Sequence, residues 1–255
     1  MPRRPESTHV FTASPGMDRQ SRTEQLRVMY YRFVGTILVW FAIWFVVWRV
    51  FYGPLARRRI NYIDRFQWTA VYFLAVSVSI FLLFRDMLAP LARNPVAAPF
   101  VVLAVTSLMQ ILLYRLALRN LQRPTELIED NPREMFLALD YRYLFSKAFE
   151  VLFQQIMIVL LIAVTWRETG SLVVTMVVFA GIFAAAHLPL LKLYGEQSGF
   201  FGKIYVVASL VAALVFPVII LKVALGFIYT YAMHSLFFTG LGLWFWWRHA
   251  GASTN

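Results

Sequence analysis

The sequence predicts an all-α polytopic membrane protein with about seven transmembrane helices, and three observations carry that expectation. Of the 255 residues, 60% are apolar, and the mean hydropathy of +0.64 is too high for an ordinary soluble domain. The apolar residues fall into runs close to the ~20 needed to cross hydrocarbon as a helix. Proline, glycine and arginine clusters separate the runs, as loops between spans require.

Residues 1–32 are polar, with Pro2, Pro5, Pro15 and six arginines, and read as a disordered tail. No apolar signal-peptide core stands near the start, and Met17 is an alternative initiator. The transmembrane domain is expected over 33–249. Span 1, Phe33–Tyr52, carries Trp40, Trp44 and Trp48 at four-residue spacing, a lipid-facing or packing ridge, and should stop at Gly53-Pro54. Span 2 is Phe66–Phe84. Span 3, Val96–Leu118, follows the Pro90–Pro95 turn and holds Gln110, suited to a hydrogen bond between helices. In the connection 119–142, Asn131-Pro132-Arg133-Glu134 is a helix-start signal. It predicts a helix over 132–164, roughly 50 Å long.

Span 4 is Tyr143–Val164. Span 5, Gly170–Leu188, ends or kinks at Pro189 and contains Ala184-Ala185-Ala186. Span 6 is Phe200–Ile220, with Pro217 as a kink, and span 7 is Ala224–Trp247. Span 7 closes on Trp244-Phe245-Trp246-Trp247-Arg248, which reads as an interfacial aromatic belt.

Composition also narrows the function. The chain has no cysteine, hence no disulfide framework or thiol nucleophile. Its net charge of +11 reads as arginine-rich loops at a membrane face rather than as a nucleic-acid surface. There is no phosphate loop, serine-nucleophile motif or inverted repeat to indicate an ATPase, a serine hydrolase or a transporter.

Span 4 is the unusual one, because it carries Lys147, Glu150, Gln154 and Gln155. Charge at the centre of a membrane helix costs at least ~2.5 kcal/mol per residue, so such side chains face protein or a cavity rather than lipid. Lys147, Glu150, Gln154 and Met157 follow one another at three, four and three residues, along one helix face. Apart from arginines near span ends and Lys203 at the start of span 6, the other ionisable residues within spans are His187 on span 5 and His234 on span 7. In an antiparallel path, Glu150, His187 and His234 reach comparable depths from one membrane side. Phe183 and His187 share a face, as do Thr230 and His234.

Glu150-Val-Leu-Phe153-Gln154-Gln155, Phe183-Ala-Ala-Ala-His187 and His234-Ser-Leu-Phe-Phe238 together resemble the three motifs of the CPBP intramembrane proteases. This family includes the CAAX prenyl endopeptidases and the bacteriocin-processing or immunity homologues. Its pattern is Glu-Glu-x-x-x-Arg, Phe-x-x-x-His and His-x-x-x-Asn or Asp, and the resemblance covers about 143–240. It implies an endopeptidase of a bacterial plasma membrane acting on a membrane-associated peptide or lipidated protein, with no cofactor. Glu150 would activate water with His187, and His234 would stabilise the oxyanion. The chain departs from the pattern at Phe149, Gln154 and Phe238, which stand where the family has Glu, Arg and Asn or Asp.

Other readings of the same residues remain open. Lys147 and Glu150 can neutralise one another, Gln154 can extend a polar seam, and both histidines can be packing residues. Two histidines and one carboxylate also make a facial metal set, though no second carboxylate or cysteine supports one. An inactive homologue would be a scaffold or binding protein for prenylated, lipid-linked or peptide partners.

Arginine bias fixes an orientation. Arg57, Arg58, Arg59 and Arg65, and then Arg119, Arg123, Arg133 and Arg142, place the loops after spans 1 and 3 in the cytoplasm. The arginine-rich N-terminal tail then faces outward, against the same bias. In this cysteine-free chain, Arg59→Cys should be labelled by an impermeant maleimide only from the cytoplasmic side. Labelling from outside alone would reverse the topology.

Overall fold

A computed structural model describes residues 19–58, 60, 62–92, 97–130, 135–193 and 199–252. The helix-start signal 131–134 and residues 1–18 lie outside the described residues. The described chain folds into helices α1 (Arg19–Arg58), α2 (Phe66–Leu83), α3 (Arg85–Leu88), α4 (Ala97–Asn120), α5 (Thr125–Asp130), α6 (Tyr141–Thr169), α7 (Leu172–Leu193), α8 (Gly199–Lys222) and α9 (Gly226–Ala252), with short 3-10 turns between some of them. Among the described residues there is no strand.

Among the described residues, five segments are long and apolar enough to cross a membrane: Tyr30–Leu55, Ile63–Leu83, Ala97–Asn120, Tyr141–Thr169 and Lys203–Lys222. These carry spans 1, 2, 3, 4 and 6. Span 5 corresponds to the shorter apolar stretch Leu172–His187 of α7. Span 7 corresponds to α9, whose apolar character is diluted by Thr230, His234, Ser235 and Thr239.

The centre of the bundle is α6. In its apolar window 67% of the residues are buried, against 17% to 28% in the other four segments. It packs against α1, α2, α7 and α9, while α8 closes on α7 and α9, and α4 on α9. Phe153, Met157, Ile158, Leu160 and Leu161 of α6 are fully enclosed. The outer faces of α1, α2, α4 and α8 expose Leu38, Val46, Leu82, Val105 and Val211, as helices solvated by hydrocarbon do.

Several expectations change in contact with the structure. α1 starts at Arg19, inside the polar stretch read as a tail. Between Arg19 and Arg32 the chain has good helix formers and neither Gly nor Pro, so the helix runs on for 40 residues. It also continues through Gly53 and Pro54 to Arg58. Proline removes only one backbone donor, and Phe51, Tyr52 and Leu55 hold this turn against Phe136 and Tyr143. Similarly, α7 continues past Pro189 to Leu193.

The expected helix over 132–164 is not continuous. Leu139 sits in the left-handed region at φ 47, which breaks a right-handed helix. Asp140 then caps α6, its carboxylate accepting from the Arg142 amide at 2.8 Å. Burial pushes the Asp140 carboxyl up, but the Arg142 side chain and amide outweigh that and hold it below the usual carboxylate value. At the far end Gly170, at φ 60, closes α6 by donating its N–H to the Trp166 carbonyl.

The tryptophan stripe of α1 faces the core. Trp40 and Trp44 stack at 5.4 Å, Trp44 stacks on Phe153, and Trp40 Nε1 donates to the Met157 carbonyl at 2.7 Å. The final aromatic run is divided: Trp247 is exposed, whereas Trp246 is buried and donates to the Leu137 carbonyl at 2.6 Å. Gln110 bonds across to α9, donating to Ser235 Oγ and Thr239 Oγ1, both at 3.0 Å.

These contacts also sort the helix ends. Arg142 reaches Asp64 at 3.9 Å, and Trp246 reaches Leu137, so α1 and α9 end where α2 and α6 begin. At the opposite end Lys222 of α8 lies over the Trp166 ring of α6. There α8 turns into α9 through Val223–Leu225, with Leu225 at φ 52. A Cβ on Gly226 would run into the Ile219 carbonyl. Gly226→Ala should therefore cost about 1–3 kcal/mol, as overpacking does, whereas Gly181→Ala, into open space, should not destabilise. Thermal unfolding in detergent micelles checks this; equal melting of the two variants would contradict the tight turn.

Candidate functional site

The polar face of α6 converges on the Glu150 carboxylate, which is 2% exposed. Lys147 Nζ donates to Oε1 at 2.5 Å, and Gln154 Nε2 donates to the same oxygen at 3.0 Å. Their spacing on the helix, three residues before and four after, brings both onto one face. From α1, the Tyr52 hydroxyl donates to Oε2 at 3.4 Å. The carboxylate is thus met by a cation, an amide and a phenol, the arrangement a buried charge requires.

Lys147 also joins α6 to α9. Its ammonium lies 4.0 Å from the centroid of the Phe238 ring, well within cation–π range. Phe238 in turn stacks on His234, one helical turn earlier, at 5.8 Å and 24°. The His234 ring also meets Phe216 of α8 at 6.4 Å. Its Nδ1 is buried with no hydrogen-bond partner among the described residues.

On α7, His187 is turned back along its own helix. Its Nδ1–H donates to the Phe183 carbonyl at 2.7 Å, and its ring meets the Phe183 ring edge-on at 4.4 Å. Phe183 is buried and stacks on Phe179. The sequence-selected residues accordingly fall into two linked groups: Lys147, Glu150 and Gln154 with Phe238 and His234, and Phe183 with His187.

Among the described residues, no hydrogen bond joins Glu150 to either histidine. No three His, Asp or Glu side chains stand close enough to hold a metal ion among those residues, so the facial-metal alternative has no ligand set there. Phe149 packs beside Phe145 at 5.3 Å and joins the apolar core.

One contribution, that of Tyr52, was hidden in the sequence, and the direction of Gln155 was another thing the sequence did not show. Tyr52 lies 98 positions from Glu150, and nothing in span 1 marks it as polar. Gln155, adjacent to Gln154, turns away and donates to Thr230 Oγ1 at 2.5 Å. The 100° step between neighbours on a helix separates the two amides.

The fold and the site define an all-α protein with helices fit for a membrane and a charged pair buried at the centre of its bundle. No family model, curated protein or solved structure matches the chain.

The pair itself can be tested by breaking it. Lys147→Met should leave a buried carboxylate without its cation and cost about 3–5 kcal/mol, while Lys147→Met with Glu150→Met should recover most of that loss. The measurement is unfolding in mild detergent. A single variant as stable as the parent would mean the pair is not closed.

Proposed function

We propose that the chain is a CPBP-like membrane protein that binds a membrane-embedded partner through its polar seam and does not hydrolyse it. The observation that carries this reading is the occupation of Glu150 by Lys147, Gln154 and Tyr52. A general base must reach a water or a substrate proton. Here one carboxylate oxygen already accepts two hydrogen bonds and the other faces a phenol. Phe238, where the family pattern has an amide or carboxylate, offers the oxyanion no donor and instead presents its face to Lys147. The partner class that the resemblance implies is a peptide or a prenylated or lipid-linked protein.

Seven crossings belong to the same proposal, with α7 and α9 as the fifth and seventh. Support comes from the contacts at the two ends of α6: Trp246 with Leu137 sets α9 antiparallel to α6, and Lys222 with Trp166 sets α8 parallel to it. The arginine-rich end, with Arg57, Arg58, Arg119 and Arg142, would face the cytoplasm of a bacterial cell.

One observation favours the endopeptidase reading as an alternative: the Nδ1 of His234 is buried with no hydrogen-bond partner among the described residues, one turn from the Phe238 ring that covers Lys147. Reconstitution with a membrane-anchored, lipidated fluorogenic peptide separates the two. The expected result is retention of the peptide on the proteoliposomes, with no cleavage by the parent protein or by Glu150→Gln. Cleavage by the parent that disappears in Glu150→Gln would establish hydrolysis, and absence of retention would remove the binding role.

A further inference from the structure

A groove of about 340 Å³ runs along α9 from its turn with α8, between α4 and α8. Its floor is a stripe of α9, Tyr229, Ala232, Met233 and Leu236, at the spacing of one helix face over two turns. Thr106 of α4 stands on one bank and Ile219 of α8 on the other. Met233 is 43% exposed, so the groove opens outward, whereas Ala232 is buried at its base.

Thr106 identifies the kind of occupant. It is 7% exposed, and its hydroxyl makes no hydrogen bond among the described residues. Other helical hydroxyls satisfy themselves: Thr36, Thr69, Thr165 and Thr175 each donate to the carbonyl four residues earlier, as does the neighbouring Ser107. Thr106 belongs instead to the row that joins α4 to α9. One turn further along α4, Gln110 donates to Ser235 and Thr239. At Thr106 the floor offers Ala232, which has no polar side-chain atom. Depth decides what can supply the missing partner. Nine residues separate Thr106 from Ala97, where α4 starts, and nine from Arg115, the next charge along the helix. Each distance is about 13 Å at 1.5 Å per residue, so the hydroxyl lies near the middle of a hydrocarbon core ~30 Å thick. Phospholipid ester and phosphate groups stay at the boundaries of that core. A polar side chain on another membrane helix reaches this depth.

We propose that this groove docks one transmembrane helix of a partner protein, laid on α9 between α4 and α8, with a serine, threonine, asparagine or glutamine side chain hydrogen-bonded to Thr106. The stripe on α9 meets one face of such a helix over two turns. Ala232 lets the two backbones approach, and the unbranched Met233 adapts to the side chains laid on it. The hydrogen bond supplies the selectivity, because apolar packing alone discriminates little between helices surrounded by lipid. His234 and Phe238 leave α9 on the opposite face, toward Lys147, so this docking is separate from the binding proposed for the polar seam.

The test uses the full chain in proteoliposomes at a low peptide-to-lipid ratio. The probe is a synthetic membrane-spanning leucine-alanine peptide with one central asparagine, compared with the same peptide carrying leucine there. Because the chain has no cysteine, Arg119→Cys at the cytoplasmic end of α4 accepts a single dye for energy transfer to the labelled peptide. The asparagine peptide should associate about fivefold more tightly than the leucine peptide, the gain from one hydrogen bond between membrane helices. Thr106→Val should abolish this preference, Thr106→Ser should keep it, and Ser107→Ala should change nothing. Met233→Trp, which fills the floor from its exposed side, should weaken association of both peptides. Equal association of the two peptides with the otherwise unchanged chain would overturn the proposal. So would a preference that survives Thr106→Val, or association undiminished by Met233→Trp. Self-association of the chain that Met233→Trp abolishes would give the groove to a second copy and overturn it as well.

Discussion

The bundle is built around one costly decision, the placement of a lysine and a glutamate on its most enclosed helix. Neither charge can face hydrocarbon without a large penalty, so the helix that carries them has to be surrounded. α1 contributes Tyr52 to the carboxylate, and α9 contributes the Phe238 ring to the ammonium. Those two contacts bring α1 and α9 against α6, which α2 and α7 complete by apolar packing. The interhelical polar contacts elsewhere follow the same logic at lower cost: Gln155 with Thr230, and Gln110 with Ser235 and Thr239. In a medium where apolar packing alone does little to choose partners, these polar contacts help to fix which helices meet.

Aromatic packing provides the complementary rigidity. Trp40, Trp44 and Trp48 pack down α1 onto Phe153 and Phe73, and the Trp40 indole ties to a backbone carbonyl at mid-helix in α6. An indole N–H buried in an apolar core needs an acceptor. A carbonyl already engaged in a helix still has a lone pair to give. α1 is thereby held to α6 between Trp40 and Tyr52, which fixes the depth at which Tyr52 reaches Glu150.

Much of this was legible in the chain, and the failures have physical reasons. The apolar runs marked the helices because the membrane demands a minimum length of uninterrupted apolar sequence. The polar face of α6 was legible because Lys147, Glu150 and Gln154 obey helical spacing. What spacing cannot supply is direction between helices. Tyr52 reads like any interfacial tyrosine until α1 is docked, and Trp246 reads as a belt residue until Leu137 offers its carbonyl. The prolines misled for another reason. Gly53-Pro54 reads as a stop because proline is unfavourable in helices surrounded by water, yet the packing of Phe51, Tyr52 and Leu55 compensates for one missing hydrogen bond. Leu139 was invisible, since no residue preference announces a leucine with positive φ.

The turn between α8 and α9 has a mechanical consequence. Gly226 lies against the Ile219 carbonyl, and only three residues separate the two helices, so this corner has almost no slack. Relative motion of α8 and α9 therefore pivots there, and a small angular change grows into displacement in proportion to distance from the pivot. The pair behaves as tongs joined at one end. On α9, His234 stands nearer the hinge than Phe237 and Phe238. Opening of the tips would part the His234 ring of α9 from the Phe216 ring of α8, with Leu225 as the fixed point.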